Sequence, residues 1–500
     1  MRRVALLILI LCSIGDLYAQ SKQDKYNALR SEIDKQIDQY FVGNAEWGIL
    51  IQSINNGDVV YAHNAQKNMI PASNMKLFSS IFALDKLGPD FKYTTSVYLR
   101  GSYEDDTTFA GDLIIRGMGD PTISGRFQDN NVTRILEDWA DSLLARHIKR
   151  IKGRIIGDDN FFGDDALGRH WEWNEESYWY SAQVSGLSLN DNCVNWYITP
   201  THVGEKARIL LDPPTQYLQV DNQTMTVATP GEASTVDVIR GRATNHVTAV
   251  GKIPVLADTR VGYVTVENPT WYTATVLKET LEFKRIRVDS SAVDIDSLSY
   301  VDSSAYRYDP SDSMVIRVAT YTSPPLSEIL KIINKRSQNF FAEQLFRTVA
   351  AVLDSNGTGD HALEMLKTFV TEIGLKPEKM AFNDGSGYAR TNLVTAESLV
   401  GILKFIRGHK YWPVFYQSLP LAGKEKTLHY RMIGTAAEGN VRAKTGTIDN
   451  VKTISGFVKT ADGEEWVFSI LCNNFTVNPL EIERIQDSIL VKLAEFRRIP

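Results

Sequence analysis

Helical periodicity at both ends of the chain, broken across residues 92–290 by short β-rich runs, is the pattern that most restricts the fold. Tyr26, Leu29, Ile33, Ile37 and Phe41 recur at helical spacing and predict an opening amphipathic helix. "WGILIQSINNGDVVYAH" predicts a hairpin that turns at Asn56-Gly57. After Lys76 an apolar helix runs to Leu87 and stops at Gly88-Pro89. The middle segment changes texture: "TTSVYLRG", "GDLIIRGMGDPT" and "VGYVTVENPT" are separated by Gly, Asp, Asn and Pro turns, which predicts one or two mostly β subdomains. Helices return in "PPLSEILKIINKRSQNFFAEQLFRTVAAVL", where Leu326, Ile329, Ile333 and Phe340 lie on or near one face. Two strands follow, Ile454 to Val458 and Trp466 to Leu471, joined through Asp462-Gly463. A last helix carries Ile482, Ile485, Ile489, Leu493 and Phe496. This order predicts one α/β domain interrupted by an insertion.

The 500 residues are enough for two or three domains, and 43% hydrophobic with 23% charged residues is ordinary globular composition. A net charge of −6, with no block of Lys and Arg, argues against nucleic acid as a partner. Arg2-Arg3, the apolar run Val4 to Cys12 and the exit Leu17-Tyr18-Ala19 read as a secretory signal over residues 1–19. Leu11 before Cys12 is wrong for a lipidation site, so the ordinary signal is preferred. No later run reaches the roughly 18 apolar residues that span a bilayer, so the mature chain is expected to lack a transmembrane segment. Cys193 and Cys472 make no disulfide framework and read as two partly buried thiols. No H-E-x-x-H pattern is present, so no metal site is expected.

Ser73 and Lys76 in "PASNMKLFSS" stand three apart at the opening of a helix. Residues at i and i+3 share a helix face, so the lysine amine can reach the serine hydroxyl. A desolvated lysine loses its proton readily and then serves as a base. Taken alone, the pair reads better as an N-cap serine with a surface lysine nearby. Lys444-Thr445-Gly446-Thr447 in "NVRAKTGTIDN" adds a strand whose lysine and hydroxyls suit a substrate carboxylate and whose glycine admits close backbone approach. Ser-x-Asn occurs at Ser53, Ser188 and Ser337, but only Ser337-Gln338-Asn339 lies on a helical stretch between the other two motifs. These three motifs, in this order, are shared by penicillin-binding proteins and serine β-lactamases.

"PASNMK", "KRSQNFFAEQL", "NDGSGYARTNLVT" and "GTAAEGNVRAKTGTIDNVKTISGFV" resemble the D-Ala-D-Ala carboxypeptidase/endopeptidase family of the penicillin-binding-protein-4 type, peptidase S13. So do "GMGDPT", "GDDNFFG" and "WEWNEESYWYSAQVSGLSLNDN", and Ser73 and Ser337, 264 residues apart, match that family's long insertion. The resemblance implies an α/β (α+β) transpeptidase-like domain of the serine β-lactamase/DD-peptidase type, an antiparallel sheet flanked by helices, with a large mostly β insertion. Its first part is expected over 20–91, the insertion over 92–290 and its second part over 291–500. It also implies a serine-type D-Ala-D-Ala carboxypeptidase, with or without D,D-endopeptidase activity, secreted across the inner membrane to the periplasm. Peptidoglycan stem peptides would be its substrates and β-lactams its covalent inhibitors, with no cofactor required.

On this resemblance Ser73 attacks, Lys76 takes its proton, Ser337 passes a proton to the leaving amine, and Asn339 holds the acyl-side amide and Lys76. Lys444, Thr445, Gly446 and Thr447 bind substrate, and the backbone N–H groups of Ser73 and Thr447 form the oxyanion hole. Gln338 stands where the family usually has Asn, Ala389 where it usually has Ser, and Leu421 to Leu428 lacks the expected acidic-Gly pair. The same motifs would also serve a serine β-lactamase, although no glutamate is evident to activate the deacylating water. A non-catalytic muropeptide-binding protein would not require the full set. The aromatic cluster Trp171, Trp173, Tyr178, Trp179 and Tyr180 reads as packing, with glycan stacking as the alternative. Asp158 and Asp159 read as turn residues, with the mouth of the site as the alternative.

Overall fold

A computed structural model describes residues 23–39, 42, 44–229, 231–299 and 308–498. The signal segment and Phe41 lie outside these residues. The chain divides into two compact units. One comprises the described residues through Asp85, Leu330–Ser337 and those from Leu366 onward; the other comprises Lys86–Ile329 and Gln338–Met365.

The first unit is built on a five-stranded antiparallel sheet. Its strands are β1 (Glu46–Ser53), β2 (Val59–His63), β3 (Arg442–Ile448), β4 (Val451–Lys459) and β5 (Glu465–Asn473), in the order β3-β4-β5-β1-β2. The two ends of the sequence therefore meet at β1 and β5, paired from Glu46↔Asn473 to Ser53↔Trp466. The β1–β2 hairpin turns where Asn56-Gly57 predicts, and Gly57 adopts the left-handed φ of 76° that the turn requires. β4 is buried along its first eight residues, so it reads as an almost continuous run without alternation. Both late strands extend beyond the predicted limits because their ends remain paired.

Helices cover both faces of this sheet. Helix α1, residues 23–37, buries Tyr26, Leu29, Ile33 and Ile37 in one cluster with Trp466 and with Ile482, Ile485, Ile489 and Leu493 of the closing helix, Pro479–Glu495. Phe496 ends that helix and stacks on Tyr26 at 5.6 Å between ring centroids. Helix α2 (Met75–Leu87) stops as predicted, with Gly88 at φ 79°, and packs Phe78 on Phe382 and Phe82 on Phe369.

In the second unit, Thr94–Tyr103 and Thr108–Arg116 centre a seven-stranded mixed sheet, and Val315–Thr322 pairs with the first of them. Small sheets follow, such as Cys193–Thr199 between Arg208–Asp212 and Arg260–Thr265. Two helices in this segment, Arg134–Leu144 and Pro269–Phe283, were not anticipated by the mostly β reading. The second carries four Thr and one Val, which weakens its helical signal, but Asn268 caps it and Pro269 opens it. Both helices pack Leu136, Trp139, Tyr272 and Leu277 into the core of the sheet.

Asp158 and Asp159 turn the chain after a strand but are not simple solvated turn residues. Asp158 is buried and accepts hydrogen bonds from Tyr308 Oη (2.6 Å) and Asn160. Asp159 accepts from Thr270 and Ser185 and brings a carboxylate oxygen within 4.8 Å of those of Asp294 and Asp296. Burial, then the charge of Asp294, pushes Asp159 up to about 7, and burial with Asp294 raises Asp296 to about 6. The folded state therefore keeps protons that the unfolded chain has lost, so these groups lower stability as pH rises from the ordinary carboxylate range to about 7. Asp159→Asn, which removes the charge, is expected to raise the thermal midpoint by about 3 °C or more at pH 8 and by much less at pH 4.5. Calorimetry across that range checks both the sign and the trend.

Candidate active site

The turn that carries Ser73 is held in an unusual conformation. Ala72 has φ 46°, Ala72–Asn74 form a single 3₁₀ turn, and α2 begins at Met75. Three contacts fix this turn to the sheet. Thr453 Oγ1 donates to the Pro71 carbonyl at 2.8 Å, Asn74 Nδ2 to Ser455 Oγ at 2.8 Å, and Ile70 N to Asn473 Oδ1 at 2.7 Å. Lys76, in the first turn of α2, is fully buried. Its amine donates to Ser73 Oγ at 2.9 Å and to the Ser386 carbonyl at 2.7 Å. The i, i+3 geometry predicted from "SNMK" is thus present.

Ser386 is presented by a loop built around Asp384. That carboxylate accepts from Gly387 N (2.7 Å), Ala389 N (2.6 Å) and Asn392 Nδ2 (2.8 Å). Gly387, at φ 81°, has no space for a side chain: a Cβ would lie 1.9 Å from the Ala72 carbonyl oxygen. Ala389 is buried here, and its backbone N–H rather than its side chain supports the loop. Motif reasoning missed Asp384 and Ser386. Their only trace was the matching stretch "NDGSGYARTN", which marks a tight Asp-Gly turn without revealing that its carbonyl meets a lysine.

β3 brings the third motif to this turn. Lys444 pairs with Ser455 and Gly446 with Thr453 across β4. A Cβ on Gly446 would come within 2.2 Å of Thr453 Oγ1 and 2.9 Å of both Ser73 N and the Pro71 carbonyl oxygen, so glycine is what allows the strand to run this close. Lys444 is fully buried, and its amine donates to Ser337 Oγ at 2.7 Å and to the Thr445 carbonyl at 2.6 Å. Burial first, and the charge of Lys76 second, hold this amine well below the ordinary lysine range. Thr447 is exposed beside Gly446.

Ser337 does not lie within a helix, contrary to the sequence expectation. Leu326–Arg336 ends before it, Asn339–Asp354 starts after it, and Ser337 itself has φ 60°. The break turns its hydroxyl to Lys444, while Asn334, bonded to Ser80 and Ser418, fixes the preceding helix. Ser73, Lys76, Ser337 and Lys444 all belong to the first unit. Asn339 opens a helix of the second, where its amide donates to the Tyr180 carbonyl at 2.8 Å.

The D-Ala-D-Ala carboxypeptidase 3 (S13) family model matches residues 29–496. The chain belongs to this family. It is 31% identical to the D-alanyl-D-alanine carboxypeptidase of Actinomadura sp. (strain R39), over 99% of this chain and 89% of that one. It is 25% identical to the D-alanyl-D-alanine carboxypeptidase DacB of Haemophilus influenzae, over 87% and 86%. The crystal structure of penicillin binding protein 4 from Haemophilus influenzae superposes with a TM-score of 0.78 at 21% identity, covering 93% of this chain and 99% of that one. The protein is a serine-type D-Ala-D-Ala carboxypeptidase/endopeptidase of family S13, with the penicillin-binding fold and its β-rich insertion.

In this S13 enzyme the aromatic cluster divides. Tyr178 and Tyr180 stack at 5.6 Å, with Trp179 edge-on to Tyr180, which is packing. Trp173, by contrast, is 67% exposed and contributes little to that packing.

Gly446→Ala tests the closeness of β3 to Ser73. It is expected to slow acylation by a β-lactam by about 10²-fold, because the added methyl forces the strand and the Ser73 turn apart. The thermal midpoint should fall by only a few degrees, as for an ordinary overpacking change of about 1–3 kcal/mol. Stopped-flow acylation beside a melting curve separates the two effects.

Proposed function

We propose that Ser73 is the acylating nucleophile of this S13 enzyme and Lys76 its base. Neutral Lys76 accepts the Ser73 proton as Oγ bonds to the carbonyl carbon of the penultimate D-alanine. The C–N bond then breaks, and the proton reaches the departing D-alanine amine through Ser337. Water hydrolyses the ester and restores Ser73. Coulomb repulsion between lysines is mutual, so Lys444 helps to keep Lys76 uncharged while offering its own charge to the terminal carboxylate. Thr445 and Thr447 supply hydroxyls to that carboxylate, and Gly446 admits the substrate backbone. Asn339 bonds the acyl-side amide, and the N–H groups of Ser73 and Thr447 receive the oxyanion.

The observation that carries this reading is the fully buried Lys76 amine, 2.9 Å from Ser73 Oγ and within the field of a second buried lysine. A surface lysine beside a capping serine has neither property.

The proposed substrates are peptidoglycan stem peptides outside the cytoplasm, reached in the periplasm after removal of residues 1–19, with 92–290 as the insertion. Among the described residues no helix is long and apolar enough to cross a membrane. β-Lactams are proposed to acylate Ser73 in place of the peptide. The Haemophilus influenzae protein is known as a β-lactam complex.

Intact-mass spectrometry after incubation with penicillin should give one stable adduct on the wild type and none on Ser73→Ala. Fast turnover without an adduct on the wild type would instead favour a β-lactamase. Lys444→Ala should raise KM for a peptide ending in a free carboxylate by about 10-fold or more and change that for its amide-capped analogue little. Steady-state kinetics on the two peptides checks this.

A further inference from the structure

Gln338, the middle residue of the second motif, occupies the N-cap position of the helix Asn339–Asp354 yet makes no capping bond with its side chain. A short Asn or Ser there ordinarily caps the helix. The longer Gln338 is buried and reaches away, donating through Nε2 to Asp191 Oδ2 at 2.7 Å. The same carboxylate oxygen accepts from Arg126 Nη2 at 2.5 Å, which compensates its charge. The Arg126 guanidinium also lies 5.7 Å from the Phe341 ring centroid, in the first turn of the helix.

Asp191 is itself held rigidly. Asn190, Asp191 and Asn192 have φ of 52°, 57° and 54°, a run of three left-handed residues that persists only when its surroundings fix it. Asn192 Nδ2 donates to the Gln183 carbonyl at 2.8 Å, and Asn190 Nδ2 to Asn195 Oδ1 at 2.9 Å. The same stretch grips the helix further along, where Gln344 Nε2 donates to the Ser185 carbonyl at 2.9 Å and to Ser188 Oγ at 3.0 Å.

We propose that Asp191, charge-balanced by Arg126, is a positioning residue for the reaction: by fixing Gln338 it sets the orientation of the neighbouring Ser337 and Asn339. Ser337 is a non-glycine residue at φ 60°, a conformation it keeps only while its flanks are held. The Gln338–Asp191 bond holds the C-terminal flank directly. Gln338 stands where the family usually has Asn, whose side chain is one methylene, about 1.5 Å, shorter. The reach to Asp191 is therefore specific to the longer amide. The inference rests on the roles proposed above for Ser337 and Asn339.

Length exchange tests it on the full chain. Gln338→Asn withdraws the amide from Asp191, and Asp191→Glu in the same chain restores the span. Gln338→Asn alone is expected to lower kcat and the penicillin acylation rate by about 10–100-fold, with KM changed less than about twofold and the thermal midpoint nearly unchanged. Gln338→Asn with Asp191→Glu should recover at least tenfold of the lost rate. Asp191→Asn, of nearly equal volume, should slow acylation as Gln338→Asn does, and a melting curve identifies any variant that is merely unfolded. The proposal is overturned if Gln338→Asn and Asp191→Asn acylate at the wild-type rate. It is equally overturned if the double variant is folded and stays as slow as Gln338→Asn. Ser73→Ala run in parallel separates this from failure of the catalytic assignment, since an adduct surviving in Ser73→Ala would overturn that assignment instead.

Discussion

Two lysine amines removed from water within each other's field are the constraint around which the first unit is arranged. Burying one ammonium is costly, and a second charge beside it adds repulsion, so the Lys444 amine is held well below the ordinary lysine range. Lys76 and Lys444 come to the site from different elements, one from the first turn of α2 and one from β3. The fold must therefore dock helix and strand closely enough to exclude solvent while still leaving each amine a hydrogen-bond partner. Ser73, the Ser386 carbonyl, Ser337 and the Thr445 carbonyl are those partners. Any route that relieved the burial would also restore Lys444 to its ordinary basicity.

Close docking in turn explains the two glycines that the site cannot replace without movement. Gly387 lies against the Ala72 carbonyl and Gly446 against Ser73 N, so the turn that carries Ser73 is clasped by backbone without side chains. Backbone contact of this kind is stiff, because it has no rotamers through which to give way. The Asp384 cradle continues the theme, since a buried carboxylate accepts hydrogen bonds from two backbone N–H groups and an amide.

Much of this was legible in the sequence, for a physical reason. Amphipathic periodicity marked α1 and the closing helix because each buries one face, and Asn56-Gly57 marked the first hairpin because few residues tolerate its dihedrals. Ser-x-x-Lys carried its geometry in its spacing. Ser337 was misplaced within a helix because apolar periodicity runs through the break on both sides, and only the left-handed serine ends it. Pro269–Phe283 was missed because its β-branched residues resemble strand composition. The Lys76–Ser386 and Asp191–Gln338 contacts join residues far apart in sequence, and no local pattern encodes such a partner.

The first sheet ends at β3, whose outer edge is, among the described residues, bridged at its start by Leu421–Arg442. A sheet edge left open can take up an extended peptide, and it can equally take up the edge of another copy. Short length is a common defence against that second outcome, and β3 has only seven residues. The brevity of the strand that lies against Ser73 is thus also part of what keeps one copy from pairing with another along this edge.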